Sequence, residues 1–268
     1  MIKQLAKIMS SVMDNRLTIS SHVIYSEKIL NSIKLLLLAD LHSTSYGEGQ
    51  RQLIKKIAAL KPDVIFIAGD LIDERRNFKC VAELLREIVN IAPVYFATGN
   101  HEHRVTNIGY FLKKMQKMGV NILRDETAIV QIAGENLSIS GIYDPEIKRQ
   151  RPNYSQKKAM QRAFAQLDEN DSIFKILVAH RPGRFKEYIK YPFDLILSGH
   201  EHGGQVRIPF VDVGLYSHGE LFPKYTAGIH LFGGSKIVIS RGLSRFAYLP
   251  RVFNPPELVQ VTLKNNAK

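Results

Sequence analysis

Apolar positions in this chain cluster in short unbroken runs, and each run is stopped by a polar cluster. Ile33-Lys34-Leu35-Leu36-Leu37-Leu38-Ala39 ends at Asp40-Leu41-His42, Val64–Ala68 ends at Gly69-Asp70-Leu71-Ile72-Asp73, and Pro93–Thr98 ends at Gly99-Asn100-His101-Glu102. Runs this short and this continuous predict central strands covered on both faces. Helical spacing fills the intervals: Glu48–Leu60, with Leu53, Ile54, Ile57 and Leu60 on one face and Pro62 as a stop, then Cys80–Asn90 and Asn107–Met118. Three strand-helix units in succession predict an α/β fold with parallel pairing at its centre.

The rhythm changes after residue 120. Ala128–Ile132, a Gly134-Glu135-Asn136 turn and Leu137–Ser140 predict an antiparallel hairpin and the start of a second sheet. A basic helix over Ser155–Leu167 follows, then strands at Ile173–Ala179, which ends at His180, and Phe193–Ser198, which runs into Gly199-His200-Glu201-His202-Gly203-Gly204. Further strands are expected at Lys236–Ser240 and Glu257–Leu263, and an edge strand at Leu17–Tyr25. No linker composition interrupts the chain, so one domain over 1–268 is expected. Residues 1–14 place Ile2, Leu5, Met9, Val12 and Met13 at helical spacing beside Lys3 and Lys7, a pattern that suits a peripheral contact with an anionic membrane as well as packing on the domain or a disordered terminus.

Composition narrows the setting. Hydrophobic content of 45% and charged content of 23% are those of an ordinary globular protein, no apolar run reaches membrane-spanning length, and the N-terminus lacks a signal peptide's apolar core. The single Cys80 excludes an intrachain disulfide and agrees with a reducing compartment, so a cytoplasmic location is expected. The net charge of +12 suits polyanionic partners: nucleic acid, anionic lipid or phosphorylated small molecules. There is no run of five basic residues, no zinc-finger spacing and no aromatic-basic signature of an RNA-binding sheet, so nothing beyond charge points to nucleic acid.

Functional groups in open α/β sheets collect at the carboxyl ends of strands. In order these are Asp40, His42, Asp70, Asn100, His101, His180, His200 and His202. Taken singly, either aspartate would serve as a helix cap and any histidine as a structural residue; their joint occurrence at five strand ends is what points to metal. Carboxylate, amide oxygen and imidazole together suit Mn²⁺, Fe or Zn²⁺ better than Ca²⁺. The set exceeds what one cation needs. Two cations about 3.5–4 Å apart would use it, and such pairs clamp the attacking and leaving oxygens of a phosphoester.

Asp40-x-His42, Gly69-Asp70, Gly99-Asn100-His101-Glu102, His180 and Gly199-His200-x-His202 resemble, in order and spacing, the calcineurin-like metallophosphoesterase superfamily over residues 33–263. Gly203-Gly204-Gln205, Phe222-Pro223-Lys224-Tyr225, Ser240-Arg241-Gly242 and Phe253-Asn254-Pro255-Pro256-Glu257 are similar to its bacterial branch of small phosphodiesterases, which includes pyrophosphatases acting on UDP-2,3-diacylglucosamine. The resemblance implies a four-layer α/β/β/α sandwich of two mixed sheets with a dinuclear site at the strand C-terminal ends. It implies that Asp40, His42 and His202 hold one metal, that Asn100, His180 and His200 hold the other, and that Asp70 bridges them. It implies attack by hydroxide from a water shared between two divalent ions, Mn²⁺ foremost, with His101 near the phosphate as a non-ligand that stabilises charge or protonates the leaving oxygen.

His103, His218 and His230 fall outside the motif and read as structural or surface residues. Asp73, Glu102, Asp144 and Glu201 are near enough in sequence to hydrogen-bond ligand imidazoles, and equally suited to plain turns. Large apolar groups alternate with cations in Leu221–Tyr225, Leu231-Phe232 and Arg245–Arg251. Exposed, that patch would suit an acyl chain or an anionic membrane; buried, it is core packing. Alternatives to a phosphodiesterase or pyrophosphatase are a nuclease or nucleotide phosphodiesterase, favoured by charge, and a catalytically silent scaffold, disfavoured because every ligand type is present.

Overall fold

The computed structural model describes residues 15–165, 167, 172–208, 213–245 and 250–266. The amphipathic pattern of residues 1–14 and the centre of the Arg245–Arg251 patch lie outside them. Within them the α/β expectation holds, as a mixed fold of two six-stranded sheets packed face to face.

The first sheet contains β1 (Thr18–Tyr25), β2 (Ile33–Leu38), β3 (Val64–Ala68), β4 (Val94–Ala97), β5 (Val120–Leu123) and β14 (Glu257–Lys264), in the order β1-β14-β2-β3-β4-β5. Strands β2 to β5 run parallel, β14 is antiparallel to β2, and β1 is parallel to β14 at the edge. Helices α1 (Arg51–Leu60), α2 (Lys79–Ile88) and α3 (Ile108–Lys117) link the parallel strands.

The second sheet is β12-β13-β9-β8-β7-β6, from β6 (Glu126–Ile132), β7 (Glu135–Gly141), β8 (Phe174–Val178), β9 (Leu195–Ser198), β12 (Gly228–Phe232) and β13 (Ser235–Ile239). The hairpin β6/β7 begins it, and β7, β8, β9 and β13 are parallel. Helix α4 (Gln156–Ala163) and the single turn α5 (Phe185–Tyr188) belong to this half, and a two-stranded hairpin, β10 (Tyr216–Ser217) with β11 (Glu220–Leu221), stands apart.

Side-chain alternation produces the layers. Leu36, Leu38, Ile65, Ile67 and Phe96 face outward into one core with Leu53, Ile57, Leu84, Leu85, Leu112 and Met115 of the helices. Leu35, Leu37, Phe66 and Tyr95 face inward against Ile139, Ile176, Val178, Leu195 and Leu197 of the other sheet. Leu177, Ile196, Ile237 and Ile239 form the third core with Met160, Phe164, Tyr188 and Phe193. Three cores separate four layers, α/β/β/α.

Several expectations need correction. The basic helix stops at Ala163 instead of Leu167. Strands β5, β10, β11 and β12 were not expected: β5 is broken by exposed Asn121, β10 and β11 have two residues each, and β12 leaves Leu231 68% exposed, so none offers an unbroken buried run. No helix among the described residues is long and apolar enough to cross a membrane.

Phe66 is fully buried between the sheets and tilts against Tyr95 at 5.9 Å. Phe66→Ala should cost about 3–5 kcal/mol through lost transfer energy and cavity formation, whereas Leu231→Ala should stay within about 0.5 kcal/mol. Urea denaturation of both variants checks the contrast; equal losses would contradict this assignment of the core.

Candidate metal centre

Parallel strands stacked in two sheets bring their carboxyl ends to one rim. Asp40 and His42 follow β2, Asp70 follows β3, Asn100 and His101 follow β4, His180 follows β8, and His200 and His202 follow β9. All eight converge. The chain turns sharply at this rim, with Asp40, His42, Asp70, His200 and His202 all at positive φ between 47° and 74°. Non-glycine residues adopt this region at a cost, and clusters of them mark functional sites.

Backbone contacts pin the turns. The Asp40 carboxylate accepts from the His200 amide at 3.0 and 3.1 Å, joining the two sheets, and Asp70 Oδ1 accepts from the His101 amide at 2.8 Å. Buried Glu102 accepts from the amides of Asp70, Gly99 and Ile72 at 2.7–2.9 Å, lacing the β3 and β4 loops together. Asn254 donates to the His202 and Gln205 carbonyls at 2.7 and 3.1 Å, and buried Arg251 donates to the carbonyls of Ser244, Arg241 and Asn254.

The donor atoms form overlapping groups in which all lie within 4.8 Å of one another: Asp40-His42-His202, His42-Asp70-His101 and Asp70-His180-His200. His180 Nδ1 donates to the Ala68 carbonyl at 2.8 Å, which leaves Nε2 as the free nitrogen. Around that Nε2 stand Asp70 Oδ2 at 3.2 Å, Asn100 Oδ1 at 3.2 Å and His200 Nδ1 at 3.1 Å, with Asp40 Oδ1 at 4.0 Å. Two carboxylate oxygens, an amide oxygen and a second imidazole nitrogen thus gather around one ring nitrogen, a set of donor atoms that a cation would hold together.

Electrostatics lead to the same place. Burial pushes His180 toward neutrality, yet the Asp70 carboxylate outweighs it and raises its pKa to about 10, so a proton is drawn in where a metal would sit. Burial holds His42 down to about 4, and His200 and His202 well below the usual imidazole value, leaving neutral nitrogens able to ligate. Burial raises Asp40 to about 7, while Asp70, despite burial, is held well below the usual carboxylate range by His180 and its neighbours. His42 Nε2 is buried, without a hydrogen-bond partner, and 3.6 Å from Asp70 Oδ2. The donor set and this orphaned nitrogen fit a pair of divalent cations.

Of the residues outside the motif, Asp73 Oδ2 lies 3.9 Å from His42 Nδ1. Glu102 binds backbone amides, Asp144 is committed to Arg181, and Glu201 accepts from Ser217, so none of these three orients an imidazole. The missed partner is Glu74, which accepts from His101 Nδ1 at 2.6 Å. Its position one residue past Asp73 carried no separate signal. His103 is buried against Thr98 and His230 donates to the Ala227 carbonyl, both structural. His218 is a correction: it stacks on His200 with centroids 3.8 Å apart, donates to the His200 carbonyl at 2.7 Å and lines the site. The centre opens into a cleft of about 600 Å³ whose walls include His42, His101, His200, His202 and His218.

The profile of the calcineurin-like phosphoesterase family matches residues 33–204. The chain belongs to this family. Among curated relatives it is similar to the phosphodiesterase YaeI of Escherichia coli, 28% identical over 86% of this chain and 82% of that one, and to the uncharacterized metallophosphoesterase YkuE of Bacillus subtilis, 28% identical over 92% and 85%. A putative metallophosphoesterase of Caenorhabditis elegans, F40B5.2, is 28% identical over 87% of this chain, which spans 48% of that protein's length. Among solved structures, TT1561 of Thermus thermophilus shares the fold with a TM-score of 0.51 at 12% identity over 80% of this chain and 91% of that one. Haemophilus influenzae NAD nucleotidase does so at 0.51 and 17% identity, over 80% and 45%. As a metallophosphoesterase the chain is a hydrolase whose fold implies divalent metal ions.

Two glycines let this phosphoesterase rim close. A Cβ on Gly199 would stand 2.6 Å from Asp40 Oδ2 and from the Ala39 Cβ, and one on Gly99 would stand 2.2 Å from Asp70 Oδ1. Gly199→Ala should destabilise the protein by about 1–3 kcal/mol through overpacking and lower the metal bound per chain. Denaturant titration and inductively coupled plasma mass spectrometry check both; unchanged stability and metal content would contradict the close approach.

Proposed function

We propose that the chain hydrolyses a phosphodiester or pyrophosphate bond in this cleft. The observation that carries the reading is the convergence of Asp40, His42, Asp70, Asn100, His180, His200 and His202 on one buried rim beside His101. In it, Asp40, His42 and His202 would hold one cation and Asn100, His180 and His200 the other, with Asp70 available to both. The mixed oxygen and nitrogen donors suit Mn²⁺, with Fe or Zn²⁺ as the competing occupants. Two such ions, when bound, supply Lewis acidity toward the phosphoryl oxygens and a water acidified toward neutral pH.

The chain's own residues do the rest. Asp40 and Asp70, fixed by the His200 and His101 amides, set the spacing of the donor atoms. Glu74 holds His101 Nδ1 as a donor and turns Nε2 toward the cleft beside Arg104 Nη1 at 3.5 Å. With a second proton on Nε2, His101 can donate to a phosphoryl oxygen or pass that proton to the leaving oxygen. Burial of the donors keeps water from competing for them.

A finer reading, a lipid-linked nucleotide such as UDP-2,3-diacylglucosamine, is supported by the apolar hairpin next to the cleft. Tyr216 lines the cleft, and Leu221 and Phe222 beyond it are 67% and 58% exposed. Pro223 is buried and Phe232 stacks on Phe185, so only part of the predicted apolar patch is open. Faster hydrolysis of UDP-2,3-diacylglucosamine in mixed micelles than of UDP-N-acetylglucosamine, with the difference lost in Phe222→Ser, is the expected outcome.

Asp70→Asn should lower kcat on bis-p-nitrophenyl phosphate by at least about a hundredfold, since even residues behind metal ligands are worth about 10–100-fold. Wild-type rates in a folded, metal-loaded variant would refute the assignment. His101→Gln should retain metal and lose about 10²–10⁴-fold on esters with alkoxide leaving groups. The loss should shrink for p-nitrophenolate, which departs unprotonated; the same loss for both leaving groups would remove the proton-transfer role.

A further inference from the structure

Four arginines line the cleft: Arg75, Arg76, Arg104 and Arg181. Two are engaged with carboxylates. Arg181 forms a forked pair with Asp144 through Nε at 2.7 Å and Nη2 at 3.2 Å, and Arg75 Nε lies 3.8 Å from Glu74. Arg76 and Arg104 differ, because among the described residues neither forms an ion pair with a carboxylate. Both are exposed on the cleft side. Arg76 Nη1 rests 3.4 Å from the His42 carbonyl, and Arg104 Nη1 rests 3.5 Å from His101 Nε2. Both therefore stand on the cleft wall beside the His42 and His101 turns, whose rings are 4.5 Å apart.

Two cations held beside a centre that itself gathers cations repel one another until an anion joins them. A phosphodiester brings one negative charge, which the centre already meets. We infer that Arg76 and Arg104 form a second anion subsite that receives the non-reacting phosphoryl group of a diphosphate. The preferred substrates are then pyrophosphate-linked, and isolated diesters are poorer ones. The guanidinium fork matches phosphoryl oxygens in bidentate geometry. Hydrolysis there consumes one water, breaks one P–O–P linkage and leaves two phosphomonoesters, one at the metal-binding rim and one on the arginines. The same cleft is lined by Asp73 and Glu146, whose charges oppose the additional phosphates of a polynucleotide and favour a compact diphosphate.

This inference rests on the proposed phosphohydrolase reading, and its test separates the two. Isothermal titration of the metal-loaded wild type, Arg76→Ala and Arg104→Ala with UMP and UDP, in metal-supplemented buffer, reads the subsite without turnover. UDP should bind at least about tenfold more tightly than UMP, the scale of one charge-assisted hydrogen bond, and each substitution should remove most of that ratio. In kinetics, the ratio of kcat/KM for UDP-N-acetylglucosamine to that for bis-p-nitrophenyl phosphate should fall about tenfold, mainly through KM. A UDP preference that survives substitution, or equal weakening of UMP and UDP, would overturn the subsite. So would tighter binding of a ten-residue oligothymidylate than of UDP, which would indicate a nucleic-acid groove. Failure of the wild type to hydrolyse any of these esters, with the UDP preference intact, would instead remove the hydrolase reading and leave the anion site standing.

Discussion

The hydrogen bonds from the His200 amide to the Asp40 carboxylate tie the two sheets together at the rim where the chemistry resides. Asp40 ends a strand of the first sheet and His200 follows a strand of the second. A buried carboxylate is costly unless it is paired, and here it is paired across the sandwich to a backbone donor. The inter-sheet core of Phe66, Leu37, Val178 and Leu197 sets the separation at which that bond can form. Core volume and donor geometry are therefore one problem, and a cavity between the sheets would loosen the metal-binding rim as well as the fold.

The rim is assembled by backbone turned the wrong way for ordinary residues. Five of the converging side chains sit at positive φ, and two glycines allow the backbone to touch the aspartates. Glu102, Asn254 and Arg251 hold these turns through amides and carbonyls, not through the imidazoles. The strain is concentrated where the strands end and is held by a frame of buried polar contacts.

What could be read in the chain follows from what was buried on both sides. Runs such as Ile33–Ala39 and Val64–Ala68 announce covered strands, and polar residues that stop such runs announce a rim; the helices between them follow from spacing. Strands with fewer apolar residues left no such mark: β12 pairs only with β13 and is mostly half-exposed. In the site, the residues supplied by strand ends were legible because topology sends all strand ends to one place. Glu74, His218, Arg76 and Arg104 were not, because their directions are decided by irregular turns. His218 reaches His200 from a hairpin tip with its own positive φ, which no periodicity encodes.

Asn254 holds the His202 turn, and β14 a few residues later slots between β1 and β2, two segments made far earlier. During synthesis, then, a nascent chain that has already supplied every imidazole of the rim still has β1 without its neighbour and the His202 loop without its clamp. Closure of the pocket therefore depends on a segment that lies after every rim donor in the chain and threads between two of its earliest strands.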